Sequence, residues 1–304
     1  MDNYKNLIID ILNNGVDKPD RTGVGSKSVF GRMLRWDLSK GFPLTTIRKV
    51  PLRIAFEETM FFLRGETNTK LLEEKNINIW KGNTSREFLD KRGLQHLPEG
   101  DMGKGYGYQW RHWEASKVES IPISENSYAL LRTSGIEVDQ IADLLTGLKD
   151  DPYSRRHVVT GWNPGQLHEM ALPPCHMLHM YSVEGDFTVD NGKLNNCFVM
   201  RSNDVPFGLP FNIASYALLN HIFAKYLRLT PGELVYFGWD VHIYQNQMDM
   251  CQEMIQREPR ELPTLNIKKD LNSFEDILNL QWEDIELIGY NPYPDVKNKP
   301  GMAI

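Results

Sequence analysis

The spacing of apolar and polar residues changes period along the chain, and each change predicts an element. Residues 4–14 form a short amphipathic pattern that stops at Gly15, a helix with a glycine end. DRTGVGSKSVFGRMLRWDL then pairs turn residues with strand-like alternation. Pro51 opens a helix, PLRIAFEETMFFLRG, and Gly65 closes it. At helical spacing Arg53, Glu57 and Arg64 share one narrow arc, whereas Ile54, Ala55, Phe61 and Phe62 surround Glu58 on the opposite side. Glu58 is therefore predicted to be buried. Glu114 to Asp151 is polar, with a surface insertion expected over about 116–135 and a helix in IEVDQIADLLTGLKDDP that stops before Pro152. Strands follow at 157–162, 176–183 and 194–202, with EGDFTVDNGK as turn-rich hairpin material, and another at 232–244. Phe211 to Leu229 is the most apolar long segment; Asn212, Ser215, Asn220, His221, Lys225 and Arg228 interrupt it, so it reads as a core helix and not a membrane span. This order is no regular βαβ repeat, and the expected class is α+β with a largely buried mixed sheet.

Composition narrows the class of function. The 304 residues are 41% hydrophobic and 24% charged, an ordinary globular mixture without a Gly/Ser/Pro-rich linker, so one domain over 1–304 is expected. A formal net charge of −6 supplies no basic field for constitutive nucleic-acid binding or for an anionic membrane. Cys175, Cys197 and Cys251 are odd in number and form no CxxC pair, which disfavours a disulfide framework and a cysteine-rich zinc site. The first residues lack a basic stretch leading into an apolar run, so no export and a cytoplasmic setting are expected.

Candidate chemistry gathers in a few segments. Cys175 follows two prolines in ALPPCHML and precedes an apolar strand, a context that fits either a buried structural thiol or a nucleophile. Cations that could assist a thiolate or grip a phosphate lie in DRTG (Arg21), DPYSRR (Arg155, Arg156) and MRSND (Arg201). RSNDVPFGLPFN joins Arg201 and Ser202 to a loop with Gly208, then opens an apolar helix near Asn212, which is either a helix cap or an amide able to read a pyrimidine edge. WDVHIYQNQ places His242 and Tyr244 on one face of a strand, as half-buried core or as donors to a sugar hydroxyl.

Taken in order, DRTGVG, FPLTT, the Glu58 helix, GETN, INIW, GYGYQWRHW, DPYSRR, WNPGQL, MALPPCH, RSND, FGLPFNIASYALL, DVHIY and the final MAI closely resemble the thymidylate synthase family from about Tyr4 to Ile304. The resemblance implies a single domain built on a large twisted mixed sheet packed with helices, one sheet face forming a homodimer interface. It implies methylation of dUMP to dTMP with 5,10-methylenetetrahydrofolate as one-carbon and hydride donor, through a covalent Cys175 adduct. By the same resemblance Arg21, Arg201 and Ser202 would grip phosphate, and Arg155 and Arg156 would reach it from the partner subunit. Asn212 would read uracil, and His242 and Tyr244 would hold the sugar. Glu58 and Tyr106 would serve proton transfers. Ile79, Trp80, Asn83, Asp204, Gly208 and Ala303 would lie on the folate side, with Met302-Ala303-Ile304 as a closing tail; no metal is implied.

Four positions depart from the family's usual pattern: Met200 where Gln is common, Lys104-Gly105 where Pro-Val is frequent, Trp239 and Gln247 beside DVHIY, and a tail about two residues longer. The Lys104-Gly105 pair is expected to make the approach to Tyr106 more flexible and more positive. MRSNDVPFG also resembles the phage pyrimidine hydroxymethylases, in which water ends the reaction. Trp80 and the hydrophobic tail favour the synthase outcome, Asn212 favours uracil, and the Cys, Glu and Arg set disfavours a non-enzymatic nucleotide- or RNA-binding regulator.

Overall fold

The computed structural model describes residues 3–20, 23–124, 127–186, 192–296 and 300. Arg21 and Met302-Ala303-Ile304, like the centre of EGDFTVDNGK, lie outside the described residues.

Helix α1 (Asn3–Asn14) leads through β1 (Val16–Lys18) into β2 (Ser26–Asp37). Helix α2 (Leu52–Leu63) begins after Pro51 and ends where Gly65 turns the chain at φ 76°. Short helices α3 (Lys70–Glu73), α4 (Arg86–Lys91) and α5 (Tyr106–Arg111) follow. The expected surface segment at 116–135 lies within a long antiparallel hairpin, β3 (Trp113–Ser124) with β4 (Ser127–Val138), which pairs with no other described strand. Its second strand takes Ile136–Val138, which the sequence pattern assigned to a helix. Helix α6 (Gln140–Asp150) starts later because Asp139 caps it, accepting from the Ala142 N–H at 3.0 Å.

Strands β5 (Val158–Thr160), β6 (His176–Glu184) and β7 (Lys193–Asp204), helix α7 (Gly208–Leu227) and strand β8 (Thr230–Tyr244) complete the central unit. The chain ends its described course with α8 (Met248–Ile255), β9 (Thr264–Ile267), α9 (Phe274–Leu278) and β10 (Ile285–Ile288).

Six strands form one mixed sheet in the order β1-β2-β8-β7-β6-β5, antiparallel throughout except for the parallel pair β7 and β8. Parallel neighbours need a long crossover, and the 20-residue α7 supplies it. Apolar nearly all round, α7 lies between the sheet and α2 and buries residues on every side, among them Leu209, Ile213, Tyr216 and Phe223. The opposite face of the sheet is more open among the described residues. Met33 is 53% exposed, Phe237 38% and Trp239 49%, whereas the alternate residues Leu234 and Tyr236 are buried.

The polar arc predicted on α2 is present, but only Arg53 is exposed, and all three residues meet partners in other segments. Arg64 donates to the carbonyls of Leu278 and Leu280 at 2.8 and 2.9 Å, Arg53 donates to the Lys75 carbonyl at 3.2 Å, and Glu57 is buried against the Lys75 ammonium at 2.6 Å. Glu57 is thus more covered than Glu58, which keeps partial solvent access. Because α2 is embedded on several sides, its charged residues stay only by finding partners in neighbouring segments.

Candidate active site

The parallel pair ends at the same level, bringing Ser202 opposite Asp240 and Asp204 opposite His242. Strand β6 runs the other way, so its first residue, His176, lies opposite Met200 and places Cys175 beside Arg201. The Arg201 N–H donates to the Cys175 carbonyl at 2.9 Å. These three strand ends surround a cavity of about 620 Å³ lined by Cys175, Arg201, Ser202, Asp204, Gly208, His242 and Tyr244, with Asn83, Phe88, Ala171, Leu172 and Pro173 among the other wall residues. That volume is ample for a nucleotide and part of a cosubstrate, since ligand pockets run from roughly 300 to 1,000 Å³.

The Arg201 guanidinium donates to the carbonyls of Pro174 and Pro173 at 2.8 and 2.9 Å, and its Nη2 stands 4.0 Å from the Cys175 sulfur. The two prolines donate no hydrogen bond of their own, and their carbonyls are turned onto this fork. One arginine thus fixes the shape of the PPC turn and puts positive charge beside the thiol. His176, next in sequence, supplies no charge: burial pushes its imidazole down to about 3, and its Nδ1 lies 2.7 Å from the Tyr216 hydroxyl.

Behind Cys175 stands Tyr106, whose hydroxyl accepts the Cys175 backbone N–H at 2.8 Å and whose ring stacks on His176 at 4.1 Å. Burial raises its phenol well above the ordinary value, so it is neutral. Gly107 lets its helix approach the GETN turn, where a β-carbon would meet the Glu66 carbonyl at 2.7 Å. Lys104 is pinned between Glu114 at 3.0 Å and Glu169 at 2.8 Å. The expected flexible, more positive approach to Tyr106 is therefore replaced by a neutralised clamp.

Glu58 accepts a hydrogen bond from the Trp80 indole at 2.8 Å. Burial pushes its carboxyl up to about 7, and the indole bond opposes that rise. Burial also raises Asp204, whose carboxylate accepts from the Phe207 N–H at 3.3 Å and from Gln247 at 3.2 Å. Gln247 is fully buried and its carbonyl accepts the Tyr244 N–H at 3.0 Å, so this departure from the family pattern ties Asp204 to the strand end bearing His242 and Tyr244.

Asn212 is not the cap of α7. The helix begins at Gly208 after Phe207, which leaves Asn212 inside its second turn, with its side-chain oxygen beside Gly208 of the cavity wall. Met200 is buried, its sulfur against the Asn203 amide. Ile79, Trp80, Glu58, Tyr106 and Asn212 are not among the residues that line the cavity. Arg155 and Arg156 are exposed on the loop before β5, away from this cavity.

The sequence reading missed several wall residues. Asp240 lines the cavity, lies 3.0 Å from the His242 Nδ1 and pairs with Lys18 at 3.3 Å. Its position two residues before His242 was the available signal, since strand alternation puts both on one face. Phe88, Arg92 and Leu172 carry no comparable sequence signal.

Comparison with known proteins settles the family. Residues 2–302 match the family described as thymidylate synthase. The chain belongs to the thymidylate synthase family. It is similar to the thymidylate synthase 1/2 of Encephalitozoon cuniculi (strain GB-M1), 44% identical over 295 residues, covering 97% of this chain and 95% of that protein. It is also similar to the bifunctional dihydrofolate reductase-thymidylate synthases of Paramecium tetraurelia (43% identical over 301 residues) and Zea mays (42% over 304). Those two alignments cover 99% of this chain but only 61% and 54% of the relatives, so the chain spans little more than half their length. Among the described residues no helix is long and apolar enough to cross a membrane.

Proposed function

We propose that the protein methylates dUMP to dTMP, with 5,10-methylenetetrahydrofolate as cosubstrate. The observation that carries this reading is the Cys175 thiol opening onto a nucleotide-sized cavity, with the Arg201 guanidinium 4.0 Å away and Ser202, Asp204, His242 and Tyr244 around it. When bound, the folate supplies the one-carbon unit and the hydride that completes the methyl group. Cys175 adds to carbon 6 of the pyrimidine, sending the electron pair of the 5,6 double bond toward carbon 5 and the 4-carbonyl oxygen; the pair left when the carbon 5 proton is later removed would release the folate nitrogen, and Cys175 leaves, restoring the 5,6 double bond, when hydride reaches the new one-carbon unit. Arg201 and Ser202 bind the phosphate dianion, joined by Arg21. Asn212 offers the uracil edge both a donor and an acceptor.

His242 and Tyr244 hold the sugar hydroxyl. With its carboxyl near 7, Glu58 is populated in both protonation states at neutral pH and can accept and return a proton through water. Tyr106, too hard to ionise to serve as a phenolate, passes the proton through its hydroxyl. Asp204, Asn83 and Gly208 receive the folate, together with Ile79, Trp80 and the tail residue Ala303.

The active species in this reading is a homodimer. Its support is the exposed apolar residues Met33, Phe237 and Trp239 on one sheet face, together with two exposed arginines, Arg155 and Arg156, that do not line their own cavity. The three cysteines, none in a disulfide, suit the reducing cytoplasm.

Mass analysis of the nucleotide formed from dUMP and methylenetetrahydrofolate tests the proposal. A methyl product with dihydrofolate is expected, and Cys175→Ser should abolish it while retaining nucleotide binding. A hydroxymethyl product, or turnover by Cys175→Ser, would overturn it.

A further inference from the structure

Glu57 and Glu58 are neighbours on α2 and hold two ends of one segment. Glu57 is 6% exposed and receives the Lys75 ammonium at 2.6 Å, while Arg53, one turn earlier, donates to the Lys75 carbonyl at 3.2 Å. One helix face therefore grips both the side chain and the backbone of Lys75. Immediately afterwards Asn76 adopts φ 59°, reversing the chain, and Ile77 returns to bond the Leu72 carbonyl at 2.9 Å. Five residues beyond Lys75 comes Trp80, whose indole reaches back to Glu58 at 2.8 Å. The far side of Trp80 rests on Phe62 and Tyr106, with ring centroids 6.2 and 5.9 Å away, and neither ring fixes the direction of its N–H.

We infer that Glu57 and Lys75 are positioning residues for the reaction proposed above: their ion pair sets the place of the 75–80 segment on α2 and so aims the Trp80 indole at Glu58. This rests on that reading only for its consequence in turnover; the geometric claim stands apart. The groups that face Glu58 from the packed elements are Trp80, Tyr106 on α5 and Tyr216 on α7, and both phenols are neutral because burial raises them well above their usual range. The bond from Trp80 is the contact that favours the ionised form. Losing its aim raises the proton affinity of Glu58.

The test compares Lys75→Met, the double change Glu57→Gln with Lys75→Met, the conservative Lys75→Arg, and Trp80→Phe as reference. Glu58 is titrated by carbon NMR of protein labelled at glutamate carboxyls, its resonance assigned with Glu58→Gln. The double variant carries no stranded charge and so keeps the experiment interpretable if Lys75→Met alone folds poorly. The expected result is an upward shift of about one pH unit in the Glu58 midpoint, matching Trp80→Phe and reversed in Lys75→Arg. In turnover, kcat at pH 7 should fall roughly fivefold, as the ionised fraction of Glu58 drops, while KM for dUMP stays within about twofold. A Glu58 midpoint unchanged in the double variant, with Trp80→Phe shifted, overturns the inference. Because the titration needs no turnover, a wild-type protein that fails to make the methyl nucleotide refutes the proposed reaction and leaves this result readable.

Discussion

Replacing Glu58 by Gln removes one ionisable group from the interior while keeping an oxygen for the Trp80 indole to bond. In the folded protein this carboxyl holds its proton up to about pH 7, against 4.5 for an ordinary glutamate. Between those values the folded state binds more protons than the unfolded chain, so wild-type stability is greatest at the acid end and declines as pH rises through 7. A shift of that size corresponds to about 3 kcal/mol, and the partial solvent access of Glu58 reduces it to about 2 kcal/mol. Glu58→Gln should come closest to the wild type below about pH 4.5, where the carboxyl is neutral in both the folded and the unfolded chain, and the gap should widen from pH 5 to pH 7. At pH 8 it should be the more stable by about 2 kcal/mol, a rise of roughly 4 °C in Tm.

The assay is urea unfolding of both proteins at pH 5, 6, 7 and 8, without ligand and at one chain concentration. Subtracting the two curves cancels every other titrating group. The same variant should lose most turnover, which would make Glu58 a site where stability is given up for chemistry. A stability difference that stays flat from pH 5 to 8 would refute the reasoning, because an interior carboxylate that costs nothing to ionise has no raised proton affinity.

Two further expectations concern the substrate. Asn212→Asp should cut the preference for dUMP over dCMP by roughly 100-fold in competition assays, since a mismatched donor pattern in a polar pocket is strongly penalised; an unchanged ratio would remove Asn212 from base recognition. Mixing inactive Cys175→Ser protein with inactive Arg155→Ala protein under verified subunit exchange should restore part of the activity, because the hybrid has one site free of both changes. No recovery would place Arg155 in its own subunit's chemistry or outside the site.

Much of the fold was legible because it depends on local spacing. The period of α1, the Pro51 and Gly65 limits of α2 and the alternation of β6, β7 and β8 follow from backbone geometry that each segment carries with it. The hairpin at 113–138 was not, since its mixed apolar and polar residues show no clear two-residue period and its strands pair with no other described strand. The site motifs were legible as a set: Cys175, Arg201, Ser202, Asp204, Gly208, His242 and Tyr244 all reach one cavity.

By itself the sequence determined the limits of most helices and strands and singled out several residues that line one cavity. Only the tertiary structure decided what each charge meets. Helical spacing placed Glu57 toward water and Glu58 inside, yet Glu57 is the more buried because Lys75 comes to it from another segment. Lys104 ends between Glu114 and Glu169 for the same reason, and Gln247 spans Asp204 and the Tyr244 backbone across more than forty residues of chain. A local pattern records which face of an element is polar. Whether that face is solvated or paired depends on partners brought together by long-range packing, and the energy of a charge changes by several kcal/mol between the two.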